Sequence, residues 1–383
     1  MPLGERILLG PGPSLLPPEV TAALGQPTLG LMDPDLHEIL DQIVVLLRRV
    51  FQTDNELTLP LAASGTGAME ATVLHMVRPG DRLGVCTGGF FGDRLAETGR
   101  RLGADVIRIE APWGRAVDPA DLERTLAAAG GRPISTVAMV HVETSTGVLQ
   151  PVPDLVRAAH AHGAMVLVDA VASLGGAALP VDQWEVDACF SGSQKCLSAP
   201  PGLGPLTVHA RTRGRHTPAT FYFDLEALWK YWEPTRMPHH TLPVQLMYAL
   251  RAALRLVVEE GLEARAARHW RHTRALWRGL EALGLRLLAA EGDRSPTITT
   301  VWIPDGVDDG RVRTRLLRDY GIEIAGGIGP LRGKIWRIGL LGHSSQARWV
   351  LLLLGALETV LAAEGYRVPE GAAVAEAAAH LGA

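Results

Sequence analysis

The sequence predicts an α/β protein built on a mainly parallel seven-stranded sheet, followed by a smaller α/β unit. Seven short runs are apolar along their whole length rather than alternating, as strands covered on both faces are. They are Leu57 to Ala63, Leu83 to Cys86, Val106 to Ile109, Ile134 to Val142, Ala164 to Asp169, Ala188 to Ser191 and Leu206 to Val208. Helix-patterned segments separate them, with starts such as Asp118-Pro119, where aspartate caps and proline opens the first turn, and Pro153-Asp154-Leu155. A chain of 383 residues also exceeds what one small core organises, so a large domain with a smaller companion is expected.

In chain order, a Gly/Pro-rich arm (Leu9-Gly10-Pro11-Gly12-Pro13) precedes a helical segment near Leu36 to Phe51 and then the seven runs. From about Thr241 to Leu288 the pattern is helical with little interruption, which predicts a long connecting helix. A second set follows: a strand near Ile298 to Ile303, a helix near Arg311 to Asp319, strands at Ile322 to Ala325 and Ile335 to Gly339, and a closing helix from about Ser345 to Ala363. We therefore divide the chain into an arm (1–20), a large domain (21–262) and a small C-terminal domain (263–383). The Ala/Gly-rich end from Glu370 to Ala383 reads as a frayed tail.

Composition excludes several classes. The hydrophobic fraction of 47% comes without any apolar run long enough to span a bilayer. A net charge of -4 with both signs interspersed offers no basic field for nucleic acid. Met1 to Arg6 shows no basic segment leading into an apolar stretch, and the expected compartment is the cytoplasm. Cys86, Cys189 and Cys196 include no C-x-x-C pair and cannot frame a chain this long with disulfides. Nothing in the pattern calls for a metal. Basic charge is carried almost wholly by arginine; Lys195, Lys230 and Lys334 are the only lysines.

The densest chemical constellation is Asp187 to Lys195, where an apolar run leads through Ser191-Gly192-Ser193-Gln194 to a lysine just past the strand end, the place where α/β sheets hold their ligands. Lys195 reads as a Schiff-base lysine, since an amine in an apolar turn beside Pro200-Pro201-Gly202 loses its proton and becomes nucleophilic; a solvated loop lysine is the plain alternative. Asp169 closes the run Val166-Leu167-Val168, and a carboxylate at a buried strand end needs a positive partner such as a protonated pyridine nitrogen. A helix-capping aspartate would look the same. Ser64-Gly65-Thr66-Gly67-Ala68, opening a helix after a strand, suits a phosphate cradle but matches neither the dinucleotide nor the P-loop pattern. Arg337, alternating with apolar residues in Lys334 to Gly339, is either an outward strand position or a fork for a substrate carboxylate. In Gly88-Gly89-Phe90-Phe91-Gly92 an aromatic ring could stack on a flat cofactor, and hydroxyls follow a strand in His141 to Gly147.

Together with Leu9-Gly-Pro-Gly-Pro-Ser14, Glu143-Thr-Ser-Thr-Gly-Val-Leu-Gln-Pro151, Val168-Asp-Ala-Val-Ala-Ser-Leu-Gly-Gly176, His239-His-Thr-Leu-Pro243 and Trp336-Arg-Ile-Gly-Leu-Leu-Gly342, these segments resemble the alanine:glyoxylate and serine:pyruvate aminotransferases, class V enzymes of the fold-type I pyridoxal-phosphate (PLP) group. The likeness runs from about residue 8 to residue 345, in the family's order. It implies ping-pong transamination between alanine or serine and glyoxylate or pyruvate, with PLP held as an internal aldimine by Lys195. It further implies Asp169 as the pyridinium partner, Thr66, Gly67, Ala68 and Gln194 as phosphate ligands, Thr144 at the ring hydroxyl, Val171 and Phe91 against the ring faces, and Arg337 at the substrate carboxylate. A homodimer with shared active sites is implied too, Thr241 reaching the neighbouring subunit's phosphate. Two departures stand out: Phe91 where well-known members have tryptophan, and Pro238 where they have a tyrosine whose hydroxyl reaches the phosphate. A 2-aminoethylphosphonate transaminase is the nearest alternative; a nicotinamide-dependent oxidoreductase and a silent scaffold are remote ones. The absence of any cysteine beyond Cys196 counts against a desulfurase.

Overall fold

In the computed structural model, which describes residues 6–215, 218–233 and 236–382, the seven apolar runs form one sheet. Its spatial order is Leu57–Leu61, Gly204–Val208, Ala188–Phe190, Met165–Asp169, Thr136–Val140, Arg82–Thr87, Asp105–Glu110. The last five run parallel, while Gly204–Val208 is antiparallel to both its neighbours. Leu57–Leu61, Thr136–Val140, Ala188–Phe190 and Gly204–Val208 are buried along their whole length, which explains why these runs carry no polar alternation. The predicted strand from Ile134 to Val142 is interrupted: it leaves the sheet after Val140, and Val142–Glu143 pairs instead with Val148–Leu149.

Hydrophobic side chains form two main clusters. One surrounds the large sheet and draws on residues from Val20 to Val257; the other draws on residues from Ala275 to Ala377, together with Leu9 of the arm. The second contains an antiparallel sheet ordered Ile298–Trp302, Ile335–Gly339, Ala325–Gly326.

Three expectations need correction. The long connecting helix is two helices, Val244–Glu260 and Leu262–Ala282, parted at Gly261, whose φ of 83° lies in the left-handed region. The strand expected over Ile322 to Ala325 is split: Ile322–Glu323 pairs with Ile7–Leu8 of the arm, and Ala325–Gly326 with Ile335–Gly339. The supposed frayed tail contains the helix Ala372–Leu381, which buries Ala373 and Ala377. It lies so close to Leu262–Ala282 that a Cβ on Gly279 would come 2.9 Å from the Ala373 carbonyl oxygen.

The arm bridges the two parts of the molecule. Leu9 donates its N–H to Glu323 O at 2.9 Å and accepts from Gly339 N at 2.8 Å. Five residues on, Ser14 Oγ donates to Lys195 O at 2.7 Å, and Leu15 N donates to Ser344 Oγ at 2.9 Å. Among the described residues no helix is long and apolar enough to cross a membrane.

Candidate active site

The parallel strands end at a cavity of about 140 Å³, the position where open α/β sheets hold ligands. Each wall comes from a different strand end. Val140, Asp169 and Phe190 close three adjacent strands, and the helix Gly65–Met76 opens the opposite side after Leu57–Leu61. Of the residues singled out in the sequence, Thr66, Phe91, Thr144, Asp169, Val171, Gln194 and Lys195 all line this space.

Gly67 and Ala68 lie in the first turn of Gly65–Met76, where Ser64 caps: its Oγ accepts from Gly67 N at 3.4 Å and its carbonyl from Ala68 N at 3.0 Å. The head of that helix supplies N–H groups and the positive end of a dipole. Arg337 does not line the cavity. It sits nearly buried on Ile335–Gly339, its Nε donating to Gly326 O at 2.8 Å, and among the described residues no carboxylate lies within ion-pair distance of it. Thr241 is exposed and stands apart from the cavity, in the segment before Val244–Glu260. Pro238, in the same segment, is exposed as well.

Electrostatics single out two groups. Burial lowers the Lys195 amine to about 8, with the Arg337 charge adding to the effect and Asp169 opposing it. Its Nζ donates to the Pro11 carbonyl of the arm. Lys230 and Lys334 are exposed. Burial pushes the Asp169 carboxyl up to about 7, against the N–H of Val171 that donates to Oδ1 at 2.8 Å. No cation lies within ion-pair distance of it among the described residues. A buried carboxylate with one amide donor is incompletely compensated.

The likeness to known proteins accords with this geometry. The aminotransferase class-V family model matches residues 9–330. The chain belongs to that family. It is 41% identical over 366 residues to the alanine–glyoxylate aminotransferase of Callithrix jacchus, covering 93% of this chain and 87% of that one. The crystal structure of ureidoglycine–glyoxylate aminotransferase from Bacillus subtilis is 38% identical and superposes with a TM-score of 0.96, covering 100% of each chain. That of alanine–glyoxylate aminotransferase from Nostoc sp. is 43% identical with a TM-score of 0.91, covering 94% of this chain and 96% of the other. The protein is an aminotransferase of the fold-type I group, and its cofactor is pyridoxal 5'-phosphate.

The cavity suits that cofactor on its own evidence. It contains an amine tuned towards neutrality and a buried carboxylate lacking a cation. It also presents a helix head fit for an anion, and Gln194, whose side-chain amide carries N–H donors, lines the same space. An aldehyde, a pyridinium nitrogen and a phosphate are the complements of these features.

Reading the sequence missed several participants. Arg94 lines the cavity, although its spacing from Phe90 and Phe91 on the helix Phe90–Arg101 signals a shared face. Of the two adjacent phenylalanines only Phe91 lines the cavity. Glu143 was passed over for the hydroxyls that follow it. Buried and raised by that burial, it accepts from Phe91 N at 3.1 Å, Gly92 N at 3.0 Å, Ser145 N at 3.0 Å and Ser145 Oγ at 2.6 Å, so it fixes the start of the helix that carries Phe91. No local motif announces a glutamate that caps a helix more than fifty residues earlier.

Proposed function

We propose that this aminotransferase exchanges the amino group of a small amino acid, alanine or serine, with glyoxylate or pyruvate by a ping-pong mechanism. The observation that carries the reading is that a lysine amine held near neutrality and an uncompensated buried carboxylate line one cavity at the head of a helix. Lys195 would hold the cofactor, Asp169 its ring nitrogen, and Thr66, Gly67, Ala68 and Gln194 its phosphate. Thr144 would meet the ring hydroxyl, with Phe91 and Val171 on the two faces. When bound, the cofactor supplies an electron sink for the charge left at the substrate Cα.

Lys195 Nζ would take the proton from the substrate Cα and return it; burial that lowers the amine to about 8 leaves a larger deprotonated fraction near neutral pH than an ordinary lysine has. Arg337 orients the substrate by its carboxylate, and among the described residues no competing carboxylate lies within ion-pair distance of its fork. Glu143 positions Phe91 through the amides of Phe91 and Gly92. Glyoxylate, a short oxo acid, is named in the enzymes of both Bacillus subtilis and Callithrix jacchus that this chain resembles, which supports a short oxo-acid partner. A homodimer completes the picture, with Thr241 of each subunit directed to the other's phosphate; its exposure in a single chain accords with this. The free, buried cysteines accord with a cytoplasmic setting.

Borohydride reduction of the holoenzyme followed by peptide mapping should place the label on Lys195, and a label on Lys230 or Lys334 would overturn the assignment. Single-turnover absorbance with alanine, serine and 2-aminoethylphosphonate as donors, and with glyoxylate and pyruvate as acceptors, reads the substrates. Turnover of the phosphonate alone would replace the proposed donor class.

A further inference from the structure

Arg94 is a cation with an unusual set of neighbours. It stands on the second turn of Phe90–Arg101 and lines the cavity that Lys195 and Asp169 share. Its Nη1 donates to Thr66 Oγ1 at 3.4 Å, which ties the guanidinium to the head of Gly65–Met76. The guanidinium carbon lies 4.9 Å from the centroid of the Phe91 ring and 5.0 Å from that of Phe90. The carboxylates nearest to it in sequence are engaged elsewhere. Asp93 pairs with Arg108 at 2.6 Å, and Glu97 pairs with Arg100 and with Arg101. Among the described residues Arg94 has no ion-pair partner, whereas most arginines around it do.

An arginine held over aromatic rings beside a helix head, with no carboxylate of its own, is built to meet an anion. Two anions enter this site, the cofactor's phosphate and the substrate's carboxylate. The bond to Thr66 decides between them, because the amides at the helix head favour the more highly charged group. We infer that Arg94 binds the phosphate of the cofactor, and that the same guanidinium holds the Phe91 ring in place. This rests on the head of Gly65–Met76 being the phosphate end of the site. The consequence is that phosphate recognition and ring stacking share one side chain, so removing it affects phosphorylated and unphosphorylated cofactor differently.

The test is equilibrium titration of the apoenzyme with PLP and with pyridoxal, which lacks the phosphate, for the wild-type, Arg94→Met and Arg94→Lys proteins. Methionine keeps much of the apolar stem and removes the charge. Affinity for PLP should fall about 10- to 100-fold in Arg94→Met, as the loss of a charge-assisted hydrogen bond predicts. Affinity for pyridoxal should change no more than about 3-fold, and Arg94→Lys should recover part of the loss. An equal fall for both ligands would overturn the proposal, since Arg94 would then act through Phe91 alone. So would an unchanged PLP affinity accompanied by a raised KM for the amino donor, which would make Arg94 a substrate residue. If the wild-type apoenzyme itself shows no preference for PLP over pyridoxal, the assignment of the helix head falls. If the preference persists undiminished in Arg94→Met, only the assignment of Arg94 falls. Should Arg94→Met fail to fold, Arg94→Lys and Arg94→Gln read the same ratio.

Discussion

Replacing Gly12 by alanine should disable the site without dismantling the protein. Gly12 has a φ of 110°, a region that L side chains rarely adopt, and a Cβ built there would meet Lys195 at Nζ, lie 2.5 Å from Cδ and 2.8 Å from Cε. Carbon atoms pack at about 3.5 to 4.0 Å, so the lysine must retreat by about 1 Å. Because the clash falls on the flexible end of a side chain, the steric cost is small and the backbone strain dominates, about 1–3 kcal/mol. A misplacement of about 1 Å at a reacting group costs on the order of 100-fold in rate. Gly12→Ala should therefore lower the melting temperature by a few degrees yet slow cofactor capture by about two orders of magnitude. Gly214→Ala is the control: its φ is 67° and nothing lies within 4 Å of the added Cβ, so it carries strain without contact. Capture is followed by the absorbance of the apoenzyme mixed with PLP and by borohydride-trapped label on Lys195. A folded Gly12→Ala protein that captures PLP at the wild-type rate would show that the arm does not position the lysine.

Cofactor capture by the apoenzyme should accelerate as pH rises through about 8 and then level off, because the Lys195 amine loses its proton there rather than near its ordinary 10.5; a midpoint near 10.5 would contradict the burial. The same lowering means that the unfolded chain binds more protons than the folded one between about 8 and 10.5. Lys195 therefore opposes folding of the apoenzyme below about 8, and this opposition fades as pH rises through that window. Chemical denaturation should show Lys195→Met more stable than wild type at pH 7 by a margin that shrinks towards pH 10.5, and a constant margin would refute the linkage. Arg337→Lys should raise the KM for amino donor and oxo-acid acceptor alike, about 10-fold or more, since a lysine cannot reproduce a two-pronged fork. Unchanged KM values with a lowered melting temperature would make Arg337 structural, through its bond to Gly326 O.

The sheet was legible in the sequence because burial on both faces leaves runs such as Val166-Leu167-Val168 without polar alternation. The lysine and aspartate were legible for the same reason, as charges placed where apolar strands stop. What local patterns could not supply was contact between distant segments. Gly261 interrupts a helical pattern by one residue, and only its positive φ turns the chain. The final helix escaped notice because alanine contributes little apolar signal; it is held by the close approach that Gly279 allows. Arg94 carries no motif of its own in the sequence; only the fold brings Thr66 beside it. Thr241 and Pro238 lie in an exposed segment that does not line the cavity, so among the described residues nothing within one chain joins them to it.

The arm also makes the site depend on contacts remote in sequence. Ser14 finds its partner carbonyl 181 positions along the chain, and Leu15 finds its hydroxyl 329 positions along. Contacts so remote in sequence close the largest loops and are made after local structure has formed. The large sheet can assemble around its own core, yet the lysine receives the Pro11 carbonyl only when the segment has docked on both parts. The site is therefore completed by contacts that lie outside the large sheet, and an intact large sheet without the docked arm would leave Lys195 without that carbonyl.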